Sequence, residues 1–294
     1  MFARSVAGSW ATSSRRPRAY LLVSSAQATA RNRAADSIFI LVWTIEEISE
    51  SYAEAPSTTH FLMPTILITG ATRGLGHALA LDFAREGYTV YGTGRRQDAL
   101  DELEFEARTA KLAIRPLRAD AATEDGASVV TRRLETDRAK LDVVIHNAGL
   151  LGDRVELAKY PLATWDAAMA ANVRGPFLLT QRLLPHLSPN AAVIFVSSGI
   201  VESPRPRWGA YYVSKVALDA LAALYAAELK AKEIRVFVVN PGPMRTEMRA
   251  SAFPSEDPQS VPAPEETTGV FLWLAREPGI ERTGERFEAQ EWRA

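Results

Sequence analysis

Thr69-Gly-Ala-Thr-Arg-Gly-Leu-Gly76, directly after the apolar run Thr65-Ile-Leu-Ile68, is the stretch on which the reading of the fold turns. An apolar strand that runs into three glycines and then into a helix has the makings of a ligand-binding turn. Gly70, Gly74 and Gly76 let the backbone bend sharply and approach a bound group closely. The free amides and positive dipole end of the following helix suit a pyrophosphate. The spacing is G-x-x-x-G-x-G, which departs from the commoner dinucleotide fingerprint. Taken alone it is compatible with an ordinary tight turn, so the rest of the chain must decide.

Beyond this loop, apolar β-rich runs recur at 65–69, 88–91, 113–117, 141–146, 192–197 and 234–240. Helical stretches lie between them. Residues 74–86 carry Leu75, Leu79 and Phe83 on one face and are closed by Gly87 as a C-cap, while 164–187 and 210–232 are long and apolar-striped. Continuously apolar strands alternating with helices predict a parallel sheet covered on both faces, a single doubly wound α/β domain of the Rossmann type.

The second run indicates which dinucleotide. An NAD site usually carries an acid about 20 residues past the glycines. Here the run ends Tyr91-Gly-Thr-Gly-Arg95-Arg96, with no acid at its tip. Two guanidiniums suit a 2′-phosphate, which a carboxylate would repel, and Arg73 in the glycine loop adds a third positive charge. NADP is therefore the expected cofactor, with NAD as the alternative. The competing reading of Arg95 and Arg96 is a pair of solvated surface charges.

Reacting groups are suggested by Ala210-Tyr-Tyr-Val-Ser-Lys215. Tyr211 and Lys215 are one helical turn apart on one face. A phenol titrates near 10, and a neighbouring ammonium lowers that value towards the working range of an acid–base catalyst. A core tyrosine beside a surface lysine would have the same spacing. Ser198 changes the balance: it ends the run Ala192-Val-Ile-Phe-Val-Ser, at the same sheet edge as the start of the next helix and the glycine loop. Its hydroxyl could hold a carbonyl or alkoxide oxygen while Tyr211 transfers the proton. Strand alternation turns one of Ser197 and Ser198 to the cofactor face and the other away.

With these landmarks in order, the chain from Thr65 onward resembles the short-chain dehydrogenase/reductases in their compact single-domain form. Thr69 to Gly76 matches the family's T-G-x-x-x-G-x-G loop, with Thr69, Thr72 and Leu75 beside the three glycines. Asp120 and Ala121 match the adenine-contacting position. His146-Asn-Ala-Gly149 stands where the family shows N-N-A-G, so Asn147, Ala148 and Gly149 are implied cofactor neighbours. His146 is the one departure, read as a strand-end substitution, with a catalytic histidine as the sharper alternative. Asn172 matches the asparagine that links the active lysine to a water chain. Asn240-Pro-Gly-Pro-Met-Arg-Thr246 matches the nicotinamide-contacting loop, through Pro241, Gly242, Met244 and Thr246. The resemblance implies hydride transfer between a nicotinamide and a carbonyl or secondary alcohol. Asn172, Ser198, Tyr211 and Lys215 would be catalytic, with Tyr211 and Lys215 also touching the cofactor.

Composition limits the remaining classes. A net charge of −1 gives no electrostatic case for nucleic acid or an anionic membrane. There is no cysteine, and His60, His77, His146 and His186 have no ligand spacing, so no metal site is expected. No apolar run approaches the ~18 residues of a membrane span. Residues 1–62 differ from the rest: six arginines and no acid up to Arg33, then the acids Glu46, Glu47, Glu50 and Glu54. They read as a targeting segment, a disordered extension or a start-site artefact with Met63 as the natural start. Residues 63–294 read as the catalytic domain. The expected compartment is the cytoplasm, or an organelle such as the mitochondrion if 1–62 is a transit peptide.

Specificity is expected in the loop from about Glu247 to Pro264, which holds Phe253 and no basic cluster, and in Ser203-Pro-Arg-Pro-Arg-Trp208. Small neutral carbonyls or alcohols fit better than phosphorylated or CoA-linked substrates. Trp208 could contact substrate or cover the core. Ala217, Ala220, Ala222, Ala223, Ala226 and Ala227 suggest an outer helix face for a homodimer or homotetramer. The alternatives are a non-catalytic NADP-binding regulatory protein of the same fold, an extended epimerase or dehydratase, and a targeted interaction protein.

Overall fold

The computed structural model describes residues 63–276 and 279–292; the extension 1–62 and the expectations attached to it lie outside the described residues. Seven parallel strands form one sheet in the order β3-β2-β1-β4-β5-β6-β7. They are β1 (Thr65–Ile68), β2 (Thr89–Gly94), β3 (Ile114–Arg118), β4 (Leu141–His146), β5 (Leu187–Val196), β6 (Arg235–Asn240) and β7 (Arg286–Glu288). Six correspond to the apolar runs. β7 was not foreseen: three residues, Arg-Phe-Glu, have too little apolar pattern to be recognised.

Side-chain alternation explains the two cores. Ile66 and Ile68 of β1 pack into the cluster that includes Phe83 and Phe271, whereas Leu67 packs into the one that includes Leu134, Leu179 and Leu218. The same split runs through β4, with Val143 and Ile145 on one side and Val144 on the other. All these side chains are buried, and each contributes roughly 1.5–3 kcal/mol. Helices α1 (Gly74–Arg85), α2 (Gln97–Ala110) and α8 (Gly269–Arg276) supply the first face. Helices α3 (Glu124–Asp137), α5 (Gly175–Leu183) and α6 (Gly209–Leu229) supply the second.

Three differences from the sequence reading have clear causes. The stretch 164–187 is not one helix: α4 (Leu162–Met169) joins α5 through a π-helical turn, Ala170–Arg174, in which the Gly175 amide reaches back to Ala170 O. Pro176 has no amide proton to continue the ordinary ladder there. On α6, Ala222 and Ala226 face the sheet, one turn after Leu218, rather than outward. Ala220, Ala223 and Ala227 are exposed as expected, and share the outer face with Val213, Val216 and Leu224. The region from Glu247 is not a plain loop either, since Thr246 caps a short helix, α7 (Glu247–Ala252), by accepting from Arg249 N. Helix α1 ends at Arg85, and Gly87, with φ +87°, follows its cap Glu86.

The strand order reverses between β1 and β4. Crevices outside the carboxyl ends of strands at such a point bind ligands. The glycine loop leaves β1 there, and Asn147–Gly149 leaves β4. Among the described residues no helix is long and apolar enough to cross a membrane, and no three metal-ligating side chains cluster.

Candidate active site

The glycine loop is held from beneath. Thr69 is buried, and its hydroxyl accepts from the amides of Asn147 and Ala148, both at 3.0 Å. Asn147 donates its side-chain amide to Thr69 O at 2.9 Å and Gly70 O at 3.1 Å. Thr69 and Asn147 thus brace the loop from inside. Gly70 adopts φ +68°, a conformation that favours glycine, and a Cβ at Gly76 would overlap the Gly70 carbonyl and the Asn147 amide. Leu75 is turned into the core and Thr72 packs over Gly94. Arg73, at the N-cap of α1, makes no side-chain cap hydrogen bond. The first amides of α1 therefore remain available at the helix's positive end, the donor set that a pyrophosphate needs.

The three arginines expected at the 2′-phosphate are not equivalent. Arg95 lines a groove of about 370 Å³ together with Arg118, Ala119, Asp120 and Thr123. Arg96 is ion-paired with Asp98, and Arg73 with Glu247 across the mouth of the loop. Neither Arg73 nor Arg96 lines that groove. Arg118 was missed because its only signal was a cation on an exposed alternate position of β3. Asp120 accepts from Ala122 N at 3.0 Å, a local turn that sets its carboxylate at the groove edge, and Ala121 adjoins it. The groove thus carries two guanidiniums, Arg95 and Arg118, and two carboxylates, Asp120 and Asp125; the guanidiniums suit a 2′-phosphate.

At the other end of the rim, Tyr211 lies in the first turn of α6, nearly buried, with its hydroxyl beside Ser198. Ser198 ends β5, and its Oγ accepts from Ile200 N at 3.3 Å. Lys215 is buried and donates to Val196 O at 2.7 Å, with its Nζ 5.8 Å from the Tyr211 ring centre. Burial pulls the Lys215 ammonium down to about 8, while Asp219 pushes it up. Burial holds the Tyr211 phenol above its usual range, and the Ser198 hydroxyl works in the opposite direction. The lowered phenol expected from the sequence is thus not what the geometry gives: desolvation outweighs the distant ammonium.

Asn172 lies in the π-turn with no exposed surface. Its Oδ1 accepts from Leu150 N at 2.7 Å, and its Nδ2 donates to Leu150 O at 2.9 Å and Ser214 Oγ at 2.8 Å. Those bonds tie the β4 outlet to α6. Gly149 lies against Asn172 Oδ1 and Lys215 Nζ. Met244 is in the core, Pro241 is buried, and Gly242 packs on Gln290. Thr246, besides capping α7, touches the space beside Gly74.

His146 is not at the rim. It is buried, stacked on Phe195 at 4.8 Å and hydrogen-bonded to Thr180, and burial holds it down to about 3, neutral at physiological pH. Ser197 is the hydroxyl turned away, receiving Arg286 Nη1 at 3.1 Å. The substrate side is walled by Trp208, 5.8 Å from both Tyr211 and Phe253. Arg154 stacks 4.1 Å above Trp208 and donates to Arg207 O and Ala252 O, which clasps two loops together. Arg249 is taken up by Glu256 in a two-point pair.

Residues 64–257 match the family model of the short chain dehydrogenases. Among relatives, an oxidoreductase of Escherichia coli K12, YciK, is 37% identical over 235 residues, covering 78% of this chain and 92% of its own. The 3-oxoacyl-[acyl-carrier-protein] reductase FabG of Thermotoga maritima is 30% identical, with 74% of this chain and 93% of its own covered. Among solved structures, a short chain dehydrogenase from Shigella flexneri complexed with NADP superimposes with a TM-score of 0.72 at 36% identity, covering 77% of this chain and 97% of its own. A second, from Escherichia coli CFT073 complexed with NADPH, has the same TM-score and identity and covers 77% and 96%. The chain belongs to the short-chain dehydrogenase/reductase family of NAD(P)-dependent oxidoreductases.

Proposed function

We propose that this protein is an NADPH-dependent reductase of small, neutral carbonyl compounds, with Tyr211 as the proton donor. The observation that carries the reading is the convergence of Tyr211 and Ser198 beside the buried Lys215. When bound along the rim, NADPH would supply a hydride to the carbonyl carbon. Ser198 and Tyr211 orient the carbonyl oxygen by hydrogen bonds, and Tyr211 releases its proton to that oxygen. The buried phenol is protonated at neutral pH, the state from which it donates, and in the reverse direction the same group acts as base. The Lys215 ammonium would stabilise the phenolate left behind and, with NADPH bound, would hold the nicotinamide ribose. Asn172 positions Leu150 and Ser214 around it.

The cofactor preference rests on Arg95 and Arg118 in one groove, and on relatives solved with NADP and NADPH. NAD is the second choice. Apolar Trp208, Phe253 and Ile200 beside Tyr211 support a neutral substrate. Exposed Phe177, Val213, Val216 and Leu224 on α5 and α6 support assembly into a homodimer or homotetramer through these helices. Residues 63–294 would be the catalytic unit, in the cytoplasm unless 1–62 directs it to an organelle.

A panel of aldehydes, ketones and alcohols, followed by NADPH absorbance with wild type beside Tyr211→Phe, tests the reading. Consumption of NADPH by wild type alone is expected. NADPH binding without turnover of any compound would leave the regulatory alternative.

A further inference from the structure

Behind the reacting groups lies a charged cluster with no part in the chemistry described so far. Asp219 stands one turn beyond Lys215 on α6. Its Oδ2 accepts from Arg286 Nη1 at 2.7 Å. Its Oδ1 is the one enclosed side-chain polar atom without a hydrogen-bond partner of normal geometry among the described residues; burial pushes the Asp219 carboxyl up, and the Ser197 hydroxyl, Arg286 and Lys215 draw it back down. Arg286, on the edge strand β7, also donates to Ser197 Oγ at 3.1 Å, Ser198 O at 3.2 Å and Glu288 Oε1 at 3.0 Å. One guanidinium therefore joins Asp219 to the turn that presents Ser198.

An ion pair that served packing alone would place both carboxylate oxygens on donors, because an enclosed oxygen without one is costly. The Asp219 carboxylate is only partly compensated, and the residual negative field falls on its neighbour along the helix. We propose that Asp219 is a positioning residue that keeps the Lys215 ammonium charged in its buried site, with Arg286 setting how much of that negative charge Lys215 feels. This deepens the function proposed above and rests on it only for its catalytic consequence.

The groups facing Lys215 are few. From its own helix come Tyr211 and Asp219; from β5, the Val196 carbonyl; and from the π-turn, the neutral Asn172. Arg286 and Glu288 act from β7 through Asp219, and Glu288 is itself held by Asn240 of β6. Burial lowers the Lys215 ammonium and Asp219 raises it, which agrees in sign with the proposal. The two charges of the pair must then act on Lys215 in opposite senses.

The test is an NMR titration of the full-length protein without cofactor, using carbon-labelled lysine and Lys215→Met to assign the resonance. Wild type is expected to titrate near 8. Asp219→Asn should lower the midpoint by about one pH unit, and Arg286→Gln should raise it by a similar amount. The high-pH limb of the NADPH-dependent reductase profile should move with each. An unchanged midpoint in folded Asp219→Asn, or both variants moving in the same direction, overturns the proposal. Should Asp219→Asn not fold, Arg286→Gln decides alone, an unmoved or lowered midpoint counting against it. The titration needs no turnover, so its result stands apart from the carbonyl panel.

Discussion

The two ends of the rim are built on different terms. At the reacting end, Asn172, Tyr211 and Lys215 are nearly inaccessible, and their backbone and side-chain partners are fixed in place. Outside the adenosine groove, at the glycine loop and the end of β2, Arg73 and Arg96 are largely exposed and their guanidiniums are engaged by Glu247 and Asp98. A buried group has few alternative positions, so its geometry is set before any ligand arrives. An exposed arginine has many, and its recruitment is a competition between a local carboxylate and the incoming phosphate. On the proposed function, the difference means that chemistry is preorganised, whereas cofactor choice is negotiated at the surface.

The contrast can be broken most severely at Tyr211. Tyr211→Phe should reduce kcat by about three orders of magnitude while NADPH affinity, measured by fluorescence titration, stays within about twofold. A comparable loss of binding would mean that the two ends are not separable. At the adenosine end, Arg95→Asp should raise KM for NADPH about 100-fold and leave KM for NADH within about threefold, since only the 2′-phosphate is repelled. Equal losses for both cofactors would remove Arg95 from phosphate recognition.

A pH profile sharpens the comparison. Lys215 is charged below about 8 and loses its proton above it, so the phenolate is stabilised on the acid side. Reductase kcat should therefore fall by up to about tenfold per unit above pH 8, while KM for NADPH changes little. The smallest effect is expected at the latch. Glu247→Gln releases Arg73 and should lower KM for NADPH about two- to threefold, because an exposed pair has modest strength. Adding salt to wild type should weaken the same latch.

This division also explains what could be read without coordinates. The strands β1 to β6 were visible because each is an apolar run between helices. The glycine loop, Ser198, Tyr211 and Lys215 followed because their spacing is local and their order is fixed along the sheet edge. Partnerships across long sequence separations were not visible. Nothing in the sequence says that Arg73 meets Glu247, that Arg118 shares a groove with Arg95, or that Arg286 reaches Ser198. The π-turn was missed because 164–187 has an unbroken helical stripe, and only Gly175-Pro176 hinted at the interruption. Reading a lowered phenol at Tyr211 went astray because sequence carries proximity along a helix but not the depth of desolvation.

Strand β7 has a consequence for how the protein matures. The ribosome delivers it after the glycine loop, the reacting groups and the other six strands, yet Arg286 hydrogen-bonds the backbone that presents Ser198. The turn that presents Ser198 is thus tied down by the last strand of the sheet to be made.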